Sequence, residues 1–507
     1  MNMKKLGLFI AYLFAIHGVL SQPNTEVYLF DLEISGDSIV LSNKINISDN
    51  DGYDNQPSFY DDHTIIFSST RDGQTDIREY SIHNGNTRWL TNTPVGSEYS
   101  PTRIPGSNNI SAIRLDTTGL QRLYNYDIST GTSKTLLKDA KVGYHLWNSS
   151  EILVNTVLVE NRMDLVVSNL KDGSNHTFQK KVGRNLLKIP GSDRISYVSK
   201  ENGKNLLKSM DVQSGATDSI TATNSIEDFV WASNGLLLAG YNNMLMKLRP
   251  GKEVQWRVAH SFSDKNINNI SRLAINRSGS KLAMVAEVSP ELVVQKQVDS
   301  YNVRNLDAFV NCYSEDVWVG RFPVDTLYVG RNKMRENYAS YLERVESTEV
   351  KVTARIVIGN TVIDQELATD NGKQSHQVAI YEVENSLISS MNFIFDEDVE
   401  DPEPIVQKQL EAYNARDINA FLNTYTEDIT LYNYPNQQTS QGQEDMRKGY
   451  QGFFESTPDL HCEIKNRIVI GNKVIDEEYL TINGQNFSAV AVYEVEQGKI
   501  AKVTFIQ

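Results

Sequence analysis

Cysteine is nearly missing from this chain: Cys312 and Cys462 are the only two in 507 residues. Two thiols at this length make no disulfide framework, and without a C-x-x-C spacing they make no thiolate metal site or redox pair. No H-E-x-x-H and no His-x-His pair occurs among the eight histidines, so neither a metal nor any other cofactor is expected. There is no basic stripe. The formal charge is -15 and the sequence pI about 5.1, a balance that repels phosphate backbones and anionic bilayers alike. Nucleic-acid partners are therefore excluded. A G-x-S-x-G elbow is also missing, which argues against a serine hydrolase. After Gln22 no apolar run is long enough to cross a bilayer.

The start of the chain sets the expected compartment. Lys4 and Lys5 precede an apolar run from Leu6 to Leu20, and Val19 and Ser21 place small residues where a signal peptidase reads. A signal peptide over residues 1–21 is expected, with export to the periplasm or the outside and no membrane span after cleavage.

What is present is repetition, of two kinds. In the first half, Ile104-Pro105-Gly106-Ser107 recurs as Ile189-Pro190-Gly191-Ser192, and Asp127-Ile128-Ser129-Thr130-Gly131 returns as Asp211-Val212-Gln213-Ser214-Gly215. Leu170-Lys171-Asp172-Gly173 falls midway, so the period is about 42 residues, the length of a four-stranded propeller blade. Short β-branched and aromatic runs alternate with Asp/Asn-Gly turns, as in Thr64-Ile65-Ile66-Phe67-Ser68 followed by Arg71-Asp72-Gly73. Units begin near Gln56, Tyr99, Tyr144, Leu186 and Glu227. Two strands from Arg272 to Glu287 and two from Val27 to Ile47 are left over, and pairing them closes a sixth blade without exposed edges. Asp49-Asn50-Asp51-Gly52-Tyr53-Asp54 lacks the ligand alternation of a calcium loop and reads as a turn between blades. The stretch Gln56 to Ile77 resembles the TolB-like, WD-type repeats of bacterial periplasmic propellers. That resemblance implies a scaffold for a protein or glycan partner.

In the second half, Val293 to Phe395 aligns without gaps to Ile405 to Gln507 at a constant offset, with roughly two in five positions identical. Arg355-Ile356-Val357-Ile358-Gly359-Asn360, for example, matches Arg467-Ile468-Val469-Ile470-Gly471-Asn472. Each unit opens with an amphipathic helix that bends near Arg416-Asp417 in the second copy. A strand (Ile429 to Tyr434), a second helix (Glu444 to Glu455) and four strands follow. The acidic, proline-containing stretch from Asp396 to Pro404 marks an extended linker. This order of elements, with Tyr413, Phe421, Tyr425, Glu427-Asp428, Pro435 and Gly442, resembles the nuclear-transport-factor-two-like superfamily in its SnoaL-like and ketosteroid-isomerase-like branch.

The resemblance implies a cone-shaped α+β fold, and it implies dimerisation through the outer face of the sheet. The two units are therefore expected to pack together as an internal pseudo-dimer. The isomerase branch places its base, an aspartate, directly before the proline that ends the first strand. Here Tyr434 precedes Pro435 and Phe322 precedes Pro323, and neither abstracts a carbon-bound proton near neutral pH.

Polar residues kept in both copies form the candidate ligand site. Asp364 and Glu366 match Asp476 and Glu478, two carboxylates at i and i+2 on one strand face, and Arg355 matches Arg467 on the neighbouring strand. On a concave face such a group would have shifted pKa values. On a convex face it would be a solvated ion-pair cluster worth little, and this is the expectation. Tyr413, Tyr425, Tyr432 and Tyr434 complete the candidate set, although tyrosines so placed more often build core.

The chain is thus read as multidomain: a signal peptide (1–21), an all-β six-bladed propeller (22–290), an α+β cone (291–396), an acidic linker (397–404) and a second cone (405–507). The expected function is an exported binding protein. The propeller would engage a protein or glycan, and the cones would hold a small apolar ligand or serve as dimerisation modules. The alternative is a cone-domain lyase, hydrolase or isomerase-like enzyme lacking the usual base.

Overall fold

The computed structural model describes residues 24–506, apart from Asp51, Asn224, Ser225 and Asp398. The expected signal peptide lies outside the described residues.

The first half forms six four-stranded antiparallel sheets, each built from strands consecutive in sequence but for one. The first complete sheet runs Asn55–Asp61, Thr64–Arg71, Gln74–Ser81 and Thr87–Trp89, and four more follow the same meander up to Arg257–Ser261. The turns repeat because their chemistry repeats. Asp127 Oδ1 accepts from the N–H groups of Ser129 and Thr130, at 2.9 and 3.2 Å, and Asp211 Oδ1 accepts from Gln213 and Ser214, at 3.1 and 2.7 Å. Each such turn ends on a glycine in the left-handed region, Gly131 at φ 72° and Gly215 at φ 74°. Gln56, Ser100, Tyr144, Arg184, Phe229 and Arg272, one from the innermost strand of each of the six sheets, line one central cavity, which makes the ring a propeller.

The exceptional sheet closes the ring. Thr25–Ser35 pairs antiparallel with Lys281–Glu287, from Thr25 opposite Glu287 to Asp31 opposite Lys281. Ser38–Asn46 forms the outer strand, and Asn268–Ile275 the inner one. Alternation along Thr25–Ser35 serves both neighbours. Val27 and Leu29 pack with Ile65 and Phe67 of the first complete blade, while Tyr28, Phe30 and Leu32 pack with Leu236 and Leu238 of the blade before closure. The strand is therefore core on both faces, and its loss would leave a bare edge.

Each cone carries two helices, a strand pair, a third helix and four more strands. In the first copy these are Pro290–Asn302, Leu306–Val310, Tyr313–Arg321, Asp325–Val329, Arg331–Arg344, Thr348–Ile358, Thr361–Asp370, Lys373–Glu384 and Leu387–Phe395. Six strands form one sheet in which Tyr313–Arg321 lies parallel to Leu387–Phe395, and the remaining pairs are antiparallel. The second copy has the same order. Asp325–Val329 and Gln437–Gln441 correct the sequence reading, which placed five strands in each unit. Both are only five residues long and largely exposed, and Gln437–Gln441 is wholly polar, so neither carries a buried apolar alternation to betray it. The linker is shorter than expected, because Glu403 and Pro404 already belong to the helix Glu403–Ala415.

Each sheet is apolar on both faces. The inner face, with Ala379 and Tyr381 in the first copy, is covered by that copy's own helices. The outer faces cover each other: Ile356, Ile363, Val378, Ile380 and Ile394 form one cluster with Ile468, Ile470, Ile475, Val490, Val492 and Ile506. Full burial of such a side chain is worth ~1.5–3 kcal/mol, so this contact dominates the second half of the chain. The expected pseudo-dimer is what the chain forms.

Removing residues 24–46 strips two strands from the closing blade and exposes the Lys281–Glu287 edge. The expected outcome is oligomers in size-exclusion chromatography and loss of the propeller's cooperative melt. A monomer melting at the full-length temperature would contradict this closure.

Candidate functional site

The carboxylate pairs lie on the inner, concave face, against expectation. The register explains it: Asp364 and Glu366 alternate with Ile363, which belongs to the outer-face cluster. All four carboxylates are buried, Asp364 and Asp476 completely.

The two positions then differ in role. Arg355 Nε and Nη2 both reach Asp364 at 2.6 Å, while Arg355 Nη1 donates to the Glu291 carbonyl at 3.3 Å and to Gln295 Oε1 at 3.1 Å. Arg467 repeats the fork on Asp476 at 2.7 Å and reaches Gln407 at 3.2 Å and Glu403 at 3.4 Å. These forks clamp the first helix of each copy to the sheet and leave little capacity for a ligand. Burial pushes the Asp364 and Asp476 carboxyls upward, and the arginines oppose it.

Glu366 and Glu478 lie two residues further along the same face, and here the copies part. In the first copy both oxygens are engaged: Gln377 Nε2 donates to Oε2 at 2.7 Å and Tyr381 OH to Oε1 at 2.9 Å. In the second copy Tyr493 OH donates to Glu478 Oε1 at 2.8 Å, but the residue opposite is Ala489 instead of Gln377. Losing that amide opens a cavity of about 280 Å³ lined by Gln409, Tyr413, Tyr425, Tyr450, Glu478 and Tyr493, with Leu410, Leu431, Leu480, Cys462, Ala489 and Phe505 as its less polar wall. Burial pushes both glutamates up to about 7. In the second copy a carboxyl that titrates near neutrality therefore borders open space.

Of the tyrosines singled out, Tyr413 and Tyr425 line this cavity. Tyr432 does not: it lies half-buried with the Lys502 ammonium 5.1 Å from its ring centre. Tyr434, the residue before Pro435, faces the first copy, where it stacks on Phe322 at 6.3 Å and its hydroxyl accepts from Asn392 at 2.7 Å. Sequence reasoning missed Tyr450, Tyr493 and Ala489. The Gln377–Ala489 difference between aligned copies was the available signal.

A second cavity, of about 590 Å³, lies between the copies, with Trp318, Thr361, Glu382, Ser390 and Asn392 on one side and Tyr434, Pro435 and Phe505 on the other. The propeller's central cavity is smaller, about 140 Å³. There one carboxylate, Asp228, is bound by two guanidiniums, Arg184 and Arg272. His145, fully enclosed beside it, is driven down to about 3 by burial and stays neutral. Among the described residues no cluster of metal-ligating side chains occurs, and no helix is long and apolar enough to cross a membrane.

Residues 294–391 and 406–503 each match the SnoaL-like domain family. An uncharacterised cystatin-fold protein from Novosphingobium aromaticivorans is 28% identical over 22% of this chain and 100% of its own, with a TM-score of 0.21. A putative ketosteroid isomerase from Kribbella flavida is 21% identical over 22% of this chain and 82% of its own, with a TM-score of 0.20. A putative TolB from Agrobacterium tumefaciens is similar over 52% of this chain and 98% of its own, at 10% identity and a TM-score of 0.41. No curated protein matches.

The position of Glu478 fixes the sign of a pH effect. Below about pH 4.5 the carboxyl is protonated whether the chain is folded or not. Between about 4.5 and 7 only the unfolded chain ionises, so stability is lost as pH rises; above 7 the loss is constant. Glu478→Gln keeps an acceptor for Tyr493 and never ionises. Its unfolding free energy should match wild type near pH 4, exceed it increasingly up to about pH 7, and stay above it by a constant amount on the order of 3 kcal/mol beyond that. A difference independent of pH would contradict the assignment.

Proposed function

From two SnoaL-like domains behind a β-propeller, we propose an exported binding protein whose second cone holds a small, largely apolar ligand while its first cone serves as the structural partner. One observation carries the reading: the same buried glutamate is fully satisfied in one copy and borders a cavity in the other. The first copy also has a polar cluster of its own, in which Thr348 Oγ1 bonds Tyr301 OH at 2.7 Å and Tyr341 OH at 3.3 Å. The second copy has Leu460 and Phe453 in place of Thr348 and Tyr341, while the packing of the surrounding aromatic rings is common to both. The second copy offers an aromatic wall and one acceptor, which suits a compact neutral molecule with a single hydroxyl, such as a phenol or alcohol. The propeller remains the scaffold for a protein or glycan partner.

A second reading is favoured by the Glu478 carboxyl alone. A group near pKa 7 exchanges a proton readily at neutral pH, as a general acid or base must. An isomerase-like or lyase-like reaction would then use Glu478, with Tyr493 fixing its orientation.

Titration calorimetry with p-cresol on the full chain tests the binding reading, with Ala489→Gln as the control that restores the first copy's arrangement. The expected result is one saturable site per chain in wild type and none in the variant. Absence of saturable binding, or equal binding by Ala489→Gln, would overturn the proposal. Turnover lost in Glu478→Gln, with a pH profile centred near 7, would favour the enzyme.

A further inference from the structure

The cavity between the copies is informative because the chain contains two versions of it. Two sheets related by an approximate two-fold axis make two grooves along their shared border. In one, Glu494 stands on the outer face of the second sheet with Lys473 and Lys502 as its direct cross-strand neighbours. Lys473 Nζ lies 3.3 Å from Glu494 Oε2, and Lys502 Nζ lies 3.1 Å from Oε1. The Lys502 ammonium also lies 5.9 Å from the ring of Phe322, across the border in the first copy. Lysine side chains thus occupy this groove, and its carboxylate is neutralised.

The other groove is the cavity of about 590 Å³. Glu382 takes the place of Glu494, and its cross-strand neighbours are Thr361 and Ser390, where the second copy has Lys473 and Lys502. Both cations are gone. Among the described residues Glu382 makes no ion pair, and its hydrogen-bond partner is the Thr361 hydroxyl at 2.8 Å. Burial pushes its carboxyl upward with no cation to oppose it. Asn392, 1% exposed, lines the same space, and its Oδ1 is buried without a partner. Two acceptors therefore border an open volume walled by Trp318, Tyr434 and Phe505. A buried acceptor without a donor is costly, and here one lies beside a carboxylate that has no cation, at the edge of open space.

We propose that this groove binds an organic primary amine with a flat apolar body, whose ammonium takes the place that the lysine ammoniums hold in the twin groove. The ammonium has three donors, enough for the Glu382 carboxylate and Asn392 Oδ1. The body lies along Trp318 and Tyr434, with aromatic faces available to a cationic or flat partner. This site is separate from the second cone's interior and does not depend on what binds there.

Calorimetry of the full chain carrying Ala489→Gln, which removes the second cone's own site for alcohols, with tryptamine and with its neutral hydroxyl counterpart tryptophol, tests the proposal. Tryptamine is expected to bind one site at least roughly tenfold more tightly than tryptophol. Thr361→Lys/Ser390→Lys rebuilds the twin groove's own arrangement, so it should fold and abolish tryptamine binding. Glu382→Gln should weaken binding roughly tenfold, and Glu478→Gln should leave it unchanged. No saturable tryptamine binding, equal affinity for tryptophol, or affinity unaffected by Glu382→Gln and by the lysine pair would overturn it.

Discussion

The second half of this chain depends on one contact, the apolar seam between the outer faces of two six-stranded sheets. A sheet that is apolar on both sides must be covered on both sides, and a single cone's helices reach only its concave face. The other face is Ile356, Ile363, Val378, Ile380 and Ile394 in the first copy, and the covering available in the chain is the matching face of the second. Covalent linkage keeps that partner at a high effective concentration, so the seam stays closed without depending on protein concentration. This constraint explains where the copies have stayed alike. Arg355 to Asn360 and Arg467 to Asn472 are identical in sequence, and they carry both the seam isoleucines and the arginine clamp.

Freed from building two working sites, the copies differ where the seam does not need them alike. Inside the cones, Gln377 against Ala489 decides whether a buried glutamate is satisfied or borders open space. At the border, Thr361 and Ser390 against Lys473 and Lys502 decide whether a groove is open or filled by the protein's own ammoniums. Both differences follow one rule: a buried carboxylate must find a donor, and where the chain withholds it, room is left for a molecule that brings one.

Much of this was legible before the structure. The period of about 42 residues, the Asp-x-x-x-Gly turns and the leftover strands were enough to give six blades with a closing strand from the N-terminal end. The ungapped duplication showed two alike units, and the resemblance to SnoaL-like domains implied their cone fold and their pairing. The convex placement expected for Asp364, Glu366, Asp476 and Glu478 was wrong for a definable reason. With both faces of the sheet apolar, alternation along Thr361–Asp370 cannot say which face is inward, and only the helices' position decides. Tyr434 was grouped with Tyr413 and Tyr425 by residue type, although a strand's alternation and the border between copies separate them. The short strands Asp325–Val329 and Gln437–Gln441 carried no pattern at all.

The central claim is that the two cones are one folded unit held by the seam. Val492→Asp, read by hydrogen exchange with mass spectrometry on the full chain, tests it directly, because Val492 is fully buried at the seam and belongs to the second copy. The account predicts that protection falls in both copies, including Thr361–Asp370 and Lys373–Glu384 of the first. Loss of protection confined to the second copy would contradict it.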